Sequence, residues 1–200
     1  MTQTSIISAR SRRAWRRAFY ALRRGASIVF PTDTVYGIGC DAFNLRALRH
    51  LAVLKGRPQN KPFPLLASDL AMVNRVAVVP AWLEPLPKIL WPGPWTFVLP
   101  VRPGPARHKF SKFISRRNTV AVRIPAHVGL RRLIAKLGRP IVGTSANRAG
   151  KKPVRSARAA FQKFAQRKDH PDLILDGGTL RGRASVVIDA TGRNPRILRK

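Results

Sequence analysis

The residues best able to do chemistry are cations and hydroxyls that gather where apolar runs end. Pro31-Thr32-Asp33-Thr34-Val35-Tyr36 follows the run Ala26 to Phe30, Thr119 to Arg123 leads into Ile124-Pro125, and Gly143-Thr144-Ser145-Ala146-Asn147 follows Ile141-Val142. Lys55-Gly56-Arg57 with Lys61, and then Ser185 and Arg199, complete the set. Where such runs are strands of an open α/β sheet, their ends line the ligand crevice. The set is rich in positive charge and hydroxyls and poor in bases. It suits recognition of phosphates and a carboxylate better than proton abstraction or acyl transfer.

Each piece also has an ordinary reading. Lys55 and Arg57 are placed as helix C-terminal cations favoured by the macrodipole. Ser145 and Asn147 suit a turn or a helix cap, and Thr32 and Thr34 suit β-structure around a loop. Trp91-Pro92-Gly93-Pro94-Trp95 reads as turn chemistry plus core aromatics. His50, His108, His127 and His170 have no motif spacing and receive no catalytic role. Neither G-x-x-x-x-G-K-[ST] nor a strand-to-helix G-x-G-x-x-G occurs, so any ATP site is of another design. Ser145 lacks a G-x-S-x-G elbow and is not expected to be a nucleophile.

The elements that must position these residues follow from periodicity. Helical spacing is expected over 8–24, stopped by Gly25, and over 44–55, stopped by Gly56. Further helical pieces are expected at 70–76, 81–90, 128–137 and 156–166. Strands are expected at 26–30, 63–67, 96–102, 119–124, 141–144, 173–176, 185–189 and 196–199, the clearest being the β-branched alternation of Thr119 to Ile124. The segment 102–117, with Gly104, Pro105 and several cations, reads as a mobile loop. Alternating strands and helices imply an α/β fold around a twisted, mostly open mixed sheet with flanking helices.

With 200 residues, 44% of them hydrophobic, the expectation is one domain over 1–200 with a single core. Apolar runs are too short to span a bilayer, and the charged N-terminus does not resemble a secretory signal, so a cytoplasmic protein without membrane association is expected. Cys40 is the sole cysteine and reads as a small buried apolar residue. The charge is anomalous: 39 Lys and Arg against 8 Asp and Glu, a formal net charge of +31. Such a surface attracts polyanions, and binding of some nucleic acid, RNA or DNA, is expected, with a general compositional bias as the alternative. Scarce acids also argue against paired-carboxylate chemistry and against metal held by protein side chains.

Seven motifs in order, PTDTVYGIGCDA, LKGRP, WPGPWTFVLP, TVAVRIPAH, GTSANRAG, ASVVIDATG and RILR, closely resemble the YrdC/TsaC family over about Ser27 to Arg199. The match is to the short form, since longer relatives carry a further C-terminal domain. The resemblance implies a twisted α/β fold around a basic central cavity, and a threonylcarbamoyl-AMP synthase activity. In it, L-threonine, bicarbonate or CO2 and ATP give threonylcarbamoyl-AMP and pyrophosphate, with Mg²⁺ carried by ATP. A downstream threonylcarbamoyl transferase complex then modifies tRNA next to the anticodon.

Carried over by motif, the resemblance implies Lys55, Arg57, Ser145 and Asn147 as the catalytic set. It implies threonine contacts at Thr34, Arg123, Gly143 and Ser185, and ATP contacts at Arg57, Lys61, Thr119, Ser145, Asn147 and Arg199. On this reading the cations screen repulsion between carbamate and ATP, Arg123 pairs with the threonine carboxylate, and Ser145 and Asn147 orient phosphate oxygens. Leu66, Arg148, Ala149 and Val186 depart from the family pattern without touching the K-x-R and S-x-N set. A non-catalytic RNA-binding or ribosome-assembly factor is the competing reading.

Overall fold

A computed structural model describes residues 4–58, 61–108, 110–148, 150–164 and 170–200. Strand β1 (Ser5–Ser8) precedes helix α1 (Arg12–Arg23), which starts at Ser11, whose hydroxyl accepts from the Arg13 amide. Ala14, Ala18, Ala21 and Leu22 form the stripe that α1 buries. Strands β2 (Ile28–Phe30) and β3 (Gly37–Gly39) flank the Thr32 to Tyr36 loop. Helix α2 (Leu45–Lys55) is capped by Asn44 accepting from Ala47 and ends at Gly56, whose left-handed backbone (φ 55°) favours glycine.

Next come β4 (Leu65–Leu66), α3 (Leu70–Val76), a single 3₁₀ turn at Ala81–Leu83, α4 (Pro85–Leu90) and β5 (Trp95–Pro100). The expected loop at 102–117 instead holds a short helix α5 (Pro105–His108) and β6 (Ser115–Arg116), because β6 closes a hairpin onto β7 (Thr119–Arg123). The hairpin turn places Arg117 and Asn118 at positive φ. Helix α6 (Val128–Leu137), β8 (Ile141–Val142), β9 (Thr144–Ser145) and α7 (Ala157–Phe164) follow. Residues 165 and 166 of the helix expected over 156–166 lie outside the described residues, as does Ala149. The chain closes with β10 (Leu173–Asp176), β11 (Val186–Asp189) and β12 (Arg196–Arg199).

The mixed α/β architecture expected from the sequence is present, with its mixed sheet divided in two. One sheet runs β1-β10-β2-β3-β9 and the other β12-β11-β5-β7-β4-β8, with β6 also on β7. The expected strand 141–144 is the seam, since β8 pairs with β4 in one sheet and β9 with β3 in the other, with only Gly143 between them. The sheets approach closely there because two glycines permit it. A Cβ on Gly39 would lie 1.8 Å from the Val142 carbonyl oxygen, and one on Gly143 would lie 2.3 Å from Leu66 Cδ1. Beneath both sheets lies a continuous core that includes Phe30, Tyr36, Leu48, Phe63, Phe97, Ile134 and Phe164. Cys40 is part of it, and burial pushes its thiol pKa up, which agrees with an inert apolar role.

Candidate functional site

Lys55 ends α2 with 2% of its surface exposed, and its ammonium crosses to the seam, donating to the Ser145 carbonyl at 2.5 Å and to the Asn147 carbonyl. It is therefore more than a helix-end cation, because its partners lie 90 and 92 residues away. Burial, and then the Arg57 charge, pull its pKa from 10.5 down to about 7. The two carbonyls act the other way, since they bond the ammonium more strongly than the neutral amine.

Arg57, half-buried, lies over the Phe63 ring at 4.7 Å and donates to the carbonyls of Lys61 (2.7 Å) and Pro62 (2.6 Å). Lys61 thus contributes its backbone to Arg57, while its side chain is exposed. At the end of β12, Arg199 donates to the Ser185 carbonyl at 2.8 Å and to the Ser185 hydroxyl at 3.1 Å, and Thr96 also donates to that hydroxyl. Burial lowers the pKa of Arg57, then Arg199 does; burial likewise lowers that of Arg199. Both guanidiniums stay protonated, but their charges are felt at short range.

Arg123, at the end of β7, is the most engaged of these cations. It donates through Nε to the Gly93 carbonyl (2.9 Å), through Nη1 to Thr34 (3.1 Å) and through Nη2 to the Asp33 carboxylate (2.7 Å). Thr34 is itself held by a hydroxyl–hydroxyl bond to Thr32 at 2.9 Å. Burial lowers the Arg123 pKa, Asp33 opposes that, and the Arg199 charge reinforces it. The Trp91 to Trp95 turn does more than fill the core, because its Gly93 carbonyl aims this guanidinium.

The charges form a chain: Arg57 acts on Lys55, Arg199 acts on Arg57 and on Arg123. Among the described residues, the carboxylate ion-paired to one of these four cations is Asp33, on Arg123, so positive charge predominates in this set. Asp33 is the residue that sequence reasoning missed. It stood in view inside Pro31 to Tyr36, but only the Arg123 contact shows what it is for.

Asn147 is held by the backbone that follows it. Its amide nitrogen donates to the carbonyls of Arg148 (2.9 Å) and Lys151, and its Oδ1 is buried with no partner. That oxygen is an acceptor, and it is the atom of this side chain still lacking a partner. Ser145 pairs with Gly37 through β9 and is half-buried beside the Lys55 contact. Gly143 presents bare backbone against Leu66. Thr119 sits at the other end of β7 from Arg123, about 13 Å along the strand and on the same face, with its hydroxyl donating to Arg116 at 2.8 Å. An extended ligand lying along β7 is needed to touch both.

A separate depression of about 480 Å³, lined by Arg24, Asn44, Arg46, His50 and Asp172 among others, does not include any of these residues. No group of three or more His, Cys, Asp or Glu able to hold a metal ion occurs among the described residues. No helix among them is long and apolar enough to cross a membrane.

Comparison with known proteins gives this geometry a context. The Sua5/YciO/YrdC family model, described as telomere recombination, matches residues 20–200. A protein of Neisseria gonorrhoeae (strain ATCC 700825 / FA 1090) named threonylcarbamoyl-AMP synthase is 34% identical over 177 residues, covering 83% of this chain and 92% of the relative. Sua5 of P. abyssi, solved in complex with L-threonine, superposes with a TM-score of 0.86 at 36% identity; the match covers 98% of this chain and 57% of that one. E. coli YciO gives 0.85 at 27% identity, with 100% and 96% covered.

Proposed function

The chain belongs to the Sua5/YciO/YrdC family, and from that membership we propose that it is a threonylcarbamoyl-AMP synthase. It joins L-threonine, bicarbonate or CO2, and ATP into threonylcarbamoyl-AMP and pyrophosphate, for modification of tRNA by a downstream transferase. The observation that carries the reading is the chain of four cations, Lys55, Arg57, Arg123 and Arg199, of which Arg123 is ion-paired to Asp33.

The mechanism is one of positioning. The threonine amine adds to CO2 with loss of a proton, or to bicarbonate with loss of water, and the resulting carbamate oxygen attacks the α-phosphorus of ATP as pyrophosphate departs. Both reactants are anions. Lys55 and Arg57 screen their repulsion and stabilise charge that grows on the α-phosphate and the leaving group, while Arg199 extends that field. Each now donates to backbone carbonyls, neutral acceptors that a phosphate displaces at small cost.

Arg123 and Thr34 take the threonine carboxylate, with Gly143 and Ser185 completing the amino-acid side. Asp33 already fills part of that place, a carboxylate standing where the substrate carboxylate binds. Asn147 Oδ1 accepts from a ribose hydroxyl or the adenine amine, and Ser145, Lys61 and Thr119 complete the nucleotide contacts. Mg²⁺ would be carried by the ATP phosphates, where it would neutralise part of their charge. A cytoplasmic enzyme fits a product destined for tRNA.

The test is pyrophosphate release by the purified chain. It should require threonine, bicarbonate and MgATP together, and removal of any one should abolish it. A second reading, a non-catalytic binder of double-stranded RNA or tRNA acting in ribosome assembly, is favoured by the net charge of +31. It predicts tight RNA binding with no adenylate formed.

A further inference from the structure

Helix α1 carries an exposed row of arginines, Arg12, Arg13, Arg16, Arg17 and Arg23, and α6, packed against it, adds exposed Lys136. Four of these, Arg12 to Arg17, precede the residues that the family model matches. Helix stability does not explain them. Arg12 and Arg13 occupy the first turn, where the macrodipole disfavours cations, and no acid stands there. The pairs Arg12/Arg16 and Arg13/Arg17 are like charges at i, i+4, a spacing that destabilises a helix. None of the five is in an ion pair among the described residues; Arg17 reaches Ser5 at 3.5 Å, and Arg23 and Lys136 lie over the Phe19 ring.

We propose that this α1–α6 face is a docking surface for the phosphate backbone of duplex RNA. From Arg12 to Arg23 the row spans about 17 Å, enough to follow several phosphates. It continues past Arg24 into the depression lined by Arg24, Arg46 and His50, where Asp172 is already engaged by the Ser27 amide. A lipid surface is disfavoured because the apolar side of α1 (Ala14, Ala18, Ala21, Leu22) is already spent in the core. A single-strand reader is disfavoured because the aromatic residues are occupied. Trp15 donates to the Ala9 carbonyl and lies beside His127, Phe19 lies under two cations, and only Tyr20, 51% exposed, is open to a base. The choice of RNA over DNA rests on the proposed function, whose product is consumed on tRNA. The face itself does not.

The test measures binding of a short labelled RNA duplex by fluorescence anisotropy across a salt series. It compares the full chain with Arg12/Arg13/Arg16/Arg17→Gln and with a control that removes four exposed cations elsewhere, Arg155/Arg158/Lys163/Arg193→Gln. The α1 variant should flatten the slope of log K against log salt by about three to four and lose at least about tenfold in affinity near 0.1 M salt. Its melting temperature should be unchanged or higher, because like-charge repulsion is relieved, so lost binding is not lost folding. Equal losses in the two variants, an unchanged α1 variant, or stronger binding to anionic phospholipid vesicles would each overturn the docking surface, and equal affinity for the matching DNA duplex would overturn its assignment to RNA. Pyrophosphate release should be the same in both variants and in the wild type. Failure of RNA binding with intact release faults only this surface, and the reverse faults only the synthase reading.

Discussion

Lys55 is a cation buried beside other cations, and its titration makes that testable. Its native pKa near 7 lies below the unfolded value of 10.5. Below pH 7 both states hold the proton and the burial penalty is complete. Between about 7 and 10.5 the unfolded chain binds more protons, so stability rises with pH relative to a Lys55→Met variant. Urea unfolding of both proteins across that range checks the sign. ATP phosphates favour the ammonium, so binding above pH 7 should take up a proton, read as a buffer-dependent heat in calorimetry.

Asp33 makes a second prediction at this scale. Asp33→Ala strips a buried guanidinium of its carboxylate and should cost about 3 kcal/mol. Threonine, bringing a carboxylate to Arg123, should raise the melting temperature of this variant more than that of the wild type. An equal rise would place the substrate carboxylate elsewhere. The cations were legible in the sequence because they stand beside strand ends and a helix end. Asp33 was not, since the scarcity of acids turned attention from carboxylates by arguing against paired-carboxylate chemistry and a protein-held metal, and the orientation of Asn147 was not, since its partners are backbone carbonyls.

Among the elements, the β8–β9 seam at Gly143 controls how the two sheets meet. Gly143→Ala would drive a Cβ into Leu66, at an expected cost of about 1–3 kcal/mol with a raised KM for threonine. Adding Leu66→Ala should recover much of that loss, because the obstacle is the side chain of Leu66, and a double-mutant cycle measures the coupling. Gly39→Ala should be unrescuable by any side-chain change, since its obstacle is the Val142 carbonyl. Helices α2, α3 and α6 were legible to within a residue because caps and apolar spacing agree in them. Strands β1 and β3 were not. Ile7 matches the helical spacing of α1 yet pairs with Leu175 in β1, and Gly37-Ile38-Gly39 has one β-former between two glycines, its pairing being set by β2 on one side and β9 on the other.

Across the whole molecule, two kinds of positive charge are separated. In the inner set Lys55 and Arg123 are buried, Arg57 is half-buried and Arg199 is exposed at the end of β12, and each is tied to a backbone carbonyl; the outer set lies exposed on α1 and α6. Only the inner set should matter for adenylation. Lys55→Ala and Arg57→Ala should each lower the rate by about 100-fold or more, as removal of a charge-stabilising donor does elsewhere, whereas the α1 arginines should be silent. The most direct measurement supplies isotopically labelled bicarbonate with threonine and MgATP and analyses the product by mass spectrometry. The account predicts an adenylate that carries the label together with threonine, formed by the wild type and nearly absent from Lys55→Ala. An adenylate without the label, no adenylate at all, or full activity in Lys55→Ala would contradict it.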